Sequence, residues 1–182
     1  NGAGVVAGLQ AGNTSDPANQ SAVTLIADSS RTAVVSGATG TGTQLPLEFE
    51  VNGAVRQRIT TTGNVLTLTG ALGYGVGAGG TVVQATSKSN AVTLNKVCGQ
   101  ITMHNAALGT GAAVRFAVNN TFVSETDEVS VWLVNPVNPS AYDAAIDGVA
   151  SGVFVIRLRN NASISYSDSV VLGFAVRKVA TS

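Results

Sequence analysis

The residues of this chain that could do chemistry are few and stand apart. One histidine, His104, and one cysteine, Cys98, occur in 182 residues, and the 10 acidic side chains gather only at Glu125-Thr126-Asp127-Glu128. A nucleophilic triad or a zinc site needs His, Cys, Asp or Glu to converge, and the neighbours Met103, Asn105, Ala106 and Ala107 bring His104 no such partner. His104 therefore reads as the polar side of the strand that carries Ile101 and Met103. Cys98 has no second cysteine with which to form an intrachain disulfide and reads as a small residue beside a turn. The acidic group offers oxygen ligands without the spacing of a calcium loop. No pair of carboxylates is marked out for glycoside cleavage. No catalytic residue, metal ligand or cofactor is expected.

Two further features invite a functional reading. Gly73-Tyr74-Gly75-Val76-Gly77-Ala78-Gly79-Gly80 has the glycine density of a phosphate loop, but it lacks the Gly-Lys-Ser/Thr ending and no helical pattern follows. It reads as a connector, with Tyr74 as an aromatic anchor for a neighbour's groove. Trp132 is the one tryptophan. Val129, Val131 and Leu133 share one face of a period-2 segment, so the indole points to the other face. Two uses follow for a ring so placed: a subunit interface or a sugar-stacking platform.

The elements that must position these residues read as strands. Val92 and Leu94, Ile101 and Met103, Val114 to Val118, Val129 to Leu133, Tyr142 to Ile146, Phe154 to Leu158 and Val170 to Val176 each place apolar side chains at every second position. With Val82-Val83 these make about eight strands, punctuated by turn-forming Gly, Asn, Asp and Pro. Strands with one apolar face are satisfied by two stacked antiparallel sheets, so residues 82–182 are expected to form a β-sandwich, jelly-roll-like, with a barrel as the near alternative. Upstream, Leu47 to Val51 and Ala54 to Ile59 alternate around Asn52-Gly53, a type I′ turn signal, and Val65 to Thr69 adds a third strand. Residues 46–72 are thus a hairpin segment for oligomerisation or attachment, and 73–81 a Gly-rich connector. Residues 1–45 hold too few large apolar side chains to close a core, so they are either a disordered leader or an extended arm; Val23, Leu25, Val34 and Val35 would be poorly placed in permanent solvent, which favours an arm buried by other subunits.

Charge excludes one class of partner. Lys+Arg 10 against Asp+Glu 10 leaves a formal net charge of +0, and the basic residues are scattered, so no nucleic-acid footprint is present. No run approaches the roughly 18 apolar residues of a membrane-spanning helix, and no membrane insertion is expected.

Two stretches carry a resemblance. Phe49-Glu50-Val51-Asn52-Gly53-Ala54-Val55-Arg56-Gln57-Arg58-Ile59, leading through three threonines to Gly63-Asn64-Val65, resembles a unit repeated in bacteriophage tail-fibre and related virion proteins. Gly73-Tyr74-Gly75, Gln84-Ala85-Thr86-Ser87-Lys88-Ser89 and Gly99-Gln100-Ile101-Thr102-Met103 resemble a domain of phage structural proteins. Its usual Lys-Pro-Ser-Gly-Gln is broken here, where Val97-Cys98 takes the Pro-Ser positions. The resemblance implies a non-catalytic virion structural protein that decorates or cements a capsid or forms part of a fibre. It implies a homo-oligomer, a trimer by precedent, partnered by the major capsid or another virion protein, with host surface glycan as the alternative ligand. Interface residues are then expected at Val23, Leu25, Val34, Val35, Phe49, Val51, Ile59, Tyr74 and Trp132, and Trp132 is the glycan residue on the alternative reading.

Overall fold

The computed structural model describes residues 16–180, apart from 17, 28, 135 and 139, and every described element is a strand. The first fifteen residues of the segment read as an arm lie outside the described residues. The chain divides between Gly73 and Tyr74 into two compact units.

The N-terminal unit holds β1 (Ser21–Ala27), β2 (Thr32–Ala38), β3 (Leu47–Val51), β4 (Ala54–Ile59) and β5 (Val65–Thr67). Within the segment read as an arm, β1 and β2 pair antiparallel without a break from Ser21↔Ala38 to Ala27↔Thr32. β3, β4 and β5 form a three-stranded antiparallel sheet. Asn52 and Gly53 join β3 to β4 with φ of 53° and 71°, the left-handed pair that a type I′ turn requires. Strand β5 ends at Thr67, two residues short of the alternation read in the sequence.

The C-terminal unit holds the eight strands β6 (Thr81–Val83), β7 (Val92–Thr93), β8 (Cys98–Thr102), β9 (Ala113–Asn119), β10 (Glu128–Leu133), β11 (Tyr142–Ala150), β12 (Val153–Asn160) and β13 (Val171–Arg177). They make two four-stranded sheets, ordered β10-β13-β8-β6 and β11-β12-β9-β7. The antiparallel expectation is corrected at one edge of each sheet, where β6 pairs parallel with β8 and β7 parallel with β9. Topology explains this. Successive strands from β6 to β9 alternate between the sheets, so a strand rejoins its own sheet after two reversals and runs the way it started. Period-2 patterning is blind to direction.

Both sheets send side chains into one core. Ile101, Leu172 and Phe174 from the first and Phe116, Val118, Phe154, Ile156 and Leu158 from the second are nearly or fully buried. The rings of Phe154 and Phe174 meet at 5.2 Å between centroids and 54° between planes, the tilted geometry that aromatic quadrupoles favour. The apolar positions picked out by alternation in residues 92–176 all belong to this core or pack against it.

The ends of the core are closed by buried polar side chains whose hydrogen bonds are met internally. The Gln84 amide donates to the carbonyls of Lys88 at 3.0 Å and Asn90 at 2.8 Å and accepts the His104 N–H at 3.2 Å. Asn160 donates to Leu108 and Ile164 carbonyls and accepts the Ala162 N–H. Removing one such partner strands a polar group in the interior, at a cost of about 1–3 kcal/mol.

Truncating Phe154 to Ala should destabilise the C-terminal unit by about 3–5 kcal/mol, because the cavity would open where the two sheets meet. Urea unfolding followed by circular dichroism reads the shift in midpoint. An unchanged midpoint would mean that the sheets do not share this core.

Candidate functional site

The two sheets of the C-terminal unit differ on their outer faces. On β11-β12-β9-β7, Arg157 stands directly across from Arg115, and like charges so placed repel. The register shift between Ile146 and Gly148 leaves Asp147 as the extra residue of a bulge in β11. Its carboxylate pairs with Arg115 and lies 3.8 Å from Arg157 Nε. This face is a solvated charge lattice.

The outer face of β10-β13-β8-β6 is uncharged except at its end, where Glu128 pairs with Arg177. Register places Trp132 across from Gly173, Gly173 across from Gln100, and Gln100 across from Thr81, one row running over all four strands. The indole lies flat on the glycine: a Cβ at Gly173 would fall within 2.6 Å of three ring atoms. A glycine inside a strand marks such a close approach. Trp132 remains 47% exposed, so one ring face is covered by backbone and the other is open. Tyr74 stands in the same groove and donates its hydroxyl to the Val176 carbonyl, so this aromatic is anchored on its own chain. The groove encloses about 530 Å³.

The other expected interface residues lie in the N-terminal unit. Leu25 is paired across from Val34, with Val23 two residues along the same face, and all three are more than 40% exposed. Val35 is half-buried on the opposite face of β2, and Ile59 is half-buried in β4. Phe49 and Val51 are at least half exposed. Tyr74 and Trp132 are the two expected residues brought into one site.

The remaining chemical groups are spent on structure. His104 Nδ1 accepts the Ala106 N–H at 3.0 Å, and Cys98 is half-buried in β8. In the acidic group, Asp127 is turned inward, where it accepts Lys178 Nζ at 2.5 Å and the N–H groups of Ser124 at 2.7 Å and Val179 at 3.3 Å. The Lys178 hydrogen bond, helped by these backbone donors, holds its carboxyl below the usual range. Among the described residues no group of three His, Cys, Asp or Glu could hold a metal ion. None of the described residues forms a helix long and apolar enough to cross a membrane.

Sequence reasoning missed a buried lysine. Lys88 is 4% exposed and donates Nζ to the His104 carbonyl at 2.6 Å and the Asp168 carbonyl at 2.5 Å. Burial pushes its pKa down, and the Asp168 charge partly opposes that. Asp168 in turn accepts from Asn138 Nδ2 at 2.7 Å and the Tyr142 hydroxyl at 3.0 Å, and burial raises the Tyr142 phenol. Two carbonyls occupy the ammonium, which locks the 84–90 loop to the end of the core. Gln100, Thr81 and Gly173 were also missed as groove residues. The signal available for Gly173 was its place between Leu172 and Phe174, a strand position with no side chain to pack.

No protein-family model, no curated protein and no solved structure matches the chain.

Because the Asp127 pKa is lower in the folded chain than the ordinary 3.8, its contribution to stability is full above that value and lost as the pH falls through the folded one. The urea midpoint should decline on acidification below about pH 3.8, and Asp127→Asn should lose part of that decline. A variant with the wild-type acid profile would remove Asp127 as the lock on the end of β13.

Proposed function

We propose that this chain is a non-catalytic structural subunit of a bacteriophage virion. It assembles as a homo-oligomer, a trimer, on the major capsid or another virion protein, and decorates or cements the particle or forms part of a fibre. The C-terminal unit is a jelly-roll-like sandwich presented by that assembly, and the N-terminal unit is the attachment and oligomerisation element.

One observation carries this reading. No apolar residue among those described in residues 16–73 is buried, while Val34, Phe49, Val51 and Val65 are 50% to 62% exposed and Leu72 is 87% exposed. A two-stranded sheet is marginal at best alone in water, and the apolar face of a three-stranded one stabilises it only when that face is covered. Val23, Leu25 and Val34 adjoin one another on one face of the β1-β2 ladder, and contiguous exposed apolar side chains of this kind mark sites of association. In the described structure this unit leaves its apolar side chains open, so a second molecule has the most surface to cover there. The trimer and the virion setting come from the tail-fibre-like hairpin of residues 49–65 and the phage-structural motifs at 73–103. A net charge of +0 fits a subunit held in an assembly, where colloidal repulsion is not needed.

Sedimentation at micromolar protein should give a trimer, and replacing Leu25 and Phe49 together by Asp should shift the mass toward monomer, each anchor contributing about 2 kcal/mol or more. A stable folded monomer with residues 45–72 protected would overturn the proposal.

Hydrogen exchange gives a second check. Amides from Val23 to Ala27 should be slowed in the assembled particle and open in the dilute free chain. Equal protection in both would mean that this segment is held by its own subunit.

A further inference from the structure

We infer that the groove on the outer face of the β10-β13-β8-β6 sheet binds a neutral oligosaccharide, with Trp132 as its stacking platform. This goes beyond assembly: it gives the C-terminal unit a ligand of its own.

The chemistry of a sugar ring sets two requirements. One face of a pyranose presents C–H bonds and packs on a π-surface, while its edge presents hydroxyls that both donate and accept. The groove supplies both. Trp132 is fixed flat by the Gly173 backbone beneath it, with its second face open and its orientation set before any ligand arrives. Tyr74, tethered through its hydroxyl, gives a second aromatic wall. Gln100 and Thr81 extend the same cross-strand row. Among the described residues neither their side chains nor the Trp132 indole N–H has a hydrogen-bond partner, so an amide, a hydroxyl and a ring N–H stand ready along one line.

The lining decides the class of sugar. It contains no Lys, Arg, Asp or Glu, so a sialylated or uronic sugar would give up hydration of its carboxylate for no opposing charge. A neutral hexose or N-acetylhexosamine carries no such penalty. The volume of about 530 Å³ falls in the range of small-molecule sites. The alternative occupant, the flat face of a neighbouring subunit, fits less well: it would bury the Gln100 amide and Thr81 hydroxyl, and each would then need a partner.

The test uses the full chain and its own reporter. Trp132 is the one tryptophan, so emission reads this site alone. A panel of neutral oligosaccharides ending in glucose, galactose, N-acetylglucosamine or N-acetylgalactosamine is titrated against the protein, with sialylated and uronic counterparts in parallel. At least one neutral member should change the emission saturably, with its charged counterpart at least about tenfold weaker. Gly173→Ala, which forces the indole off its seat, and Gln100→Ala, which leaves it in place, should each weaken binding about tenfold or more. Light scattering on the same samples should show unchanged mass. If Gly173→Ala fails to fold, Gln100→Ala carries the same decision. The inference is overturned if no neutral member alters the emission, if the charged sugars bind as well, or if Gln100→Ala binds like the wild type. It is also overturned if Trp132→Ala lowers the mass, because the indole would then belong to a subunit contact. Assembly through the N-terminal unit is read from mass alone, so either conclusion can fail without the other.

Discussion

A β-strand has two faces, and every feature of this chain depends on what covers each of them. Successive side chains point to opposite sides, so a single sheet can bury at most half of what it carries. In the C-terminal unit the inner faces of two sheets share one core, closed by the Phe154–Phe174 contact. The outer faces then remain, and the chain treats them oppositely. One is a lattice of Arg115, Arg157, Asp143 and Asp147, adapted to water. The other is uncharged along the row of Trp132, Gly173, Gln100 and Thr81. The N-terminal unit has the same problem, and among its described residues no apolar side chain is buried.

Polar side chains at the ends of the core do the second part of the positioning. The chain moves between sheets at every connection from β6 to β11, and each crossing brings backbone groups past the core edge. Gln84, Lys88, Asn120 and Asn160 meet those groups with hydrogen bonds. Lys88 shows the physical logic most plainly. An ammonium is expensive to bury, and here two carbonyls hold it while Asp168 lies close enough to oppose its deprotonation. That arrangement ties the 84–90 loop to a segment eighty residues away and keeps the edge strands β6 and β7 in place.

The proposed division of labour follows from this difference in burial. A unit with its own core can present a site, because the site is held by groups that do not depend on a partner. A unit whose described apolar side chains stay exposed is suited to association, because those side chains gain most from a second molecule. In the proposed subunit the first displays and the second attaches.

The apolar alternation of residues 92–176 determined by itself which side chains enter the core, since burial of every second residue follows from strand geometry alone. Asn52-Gly53 likewise determined its turn, because few other pairs accept two successive positive φ angles. The outward phase of Trp132 was legible for the same reason. The seat beneath it was not: that depended on Gly173 and Gln100, which lie forty-one and thirty-two positions away and become neighbours only through pairing. The parallel edge strands and the buried Lys88 were equally hidden, as direction and long-range hydrogen bonds leave no mark on local periodicity. Sequence sets what each residue prefers to face; only the pairing of distant strands decides what it meets there.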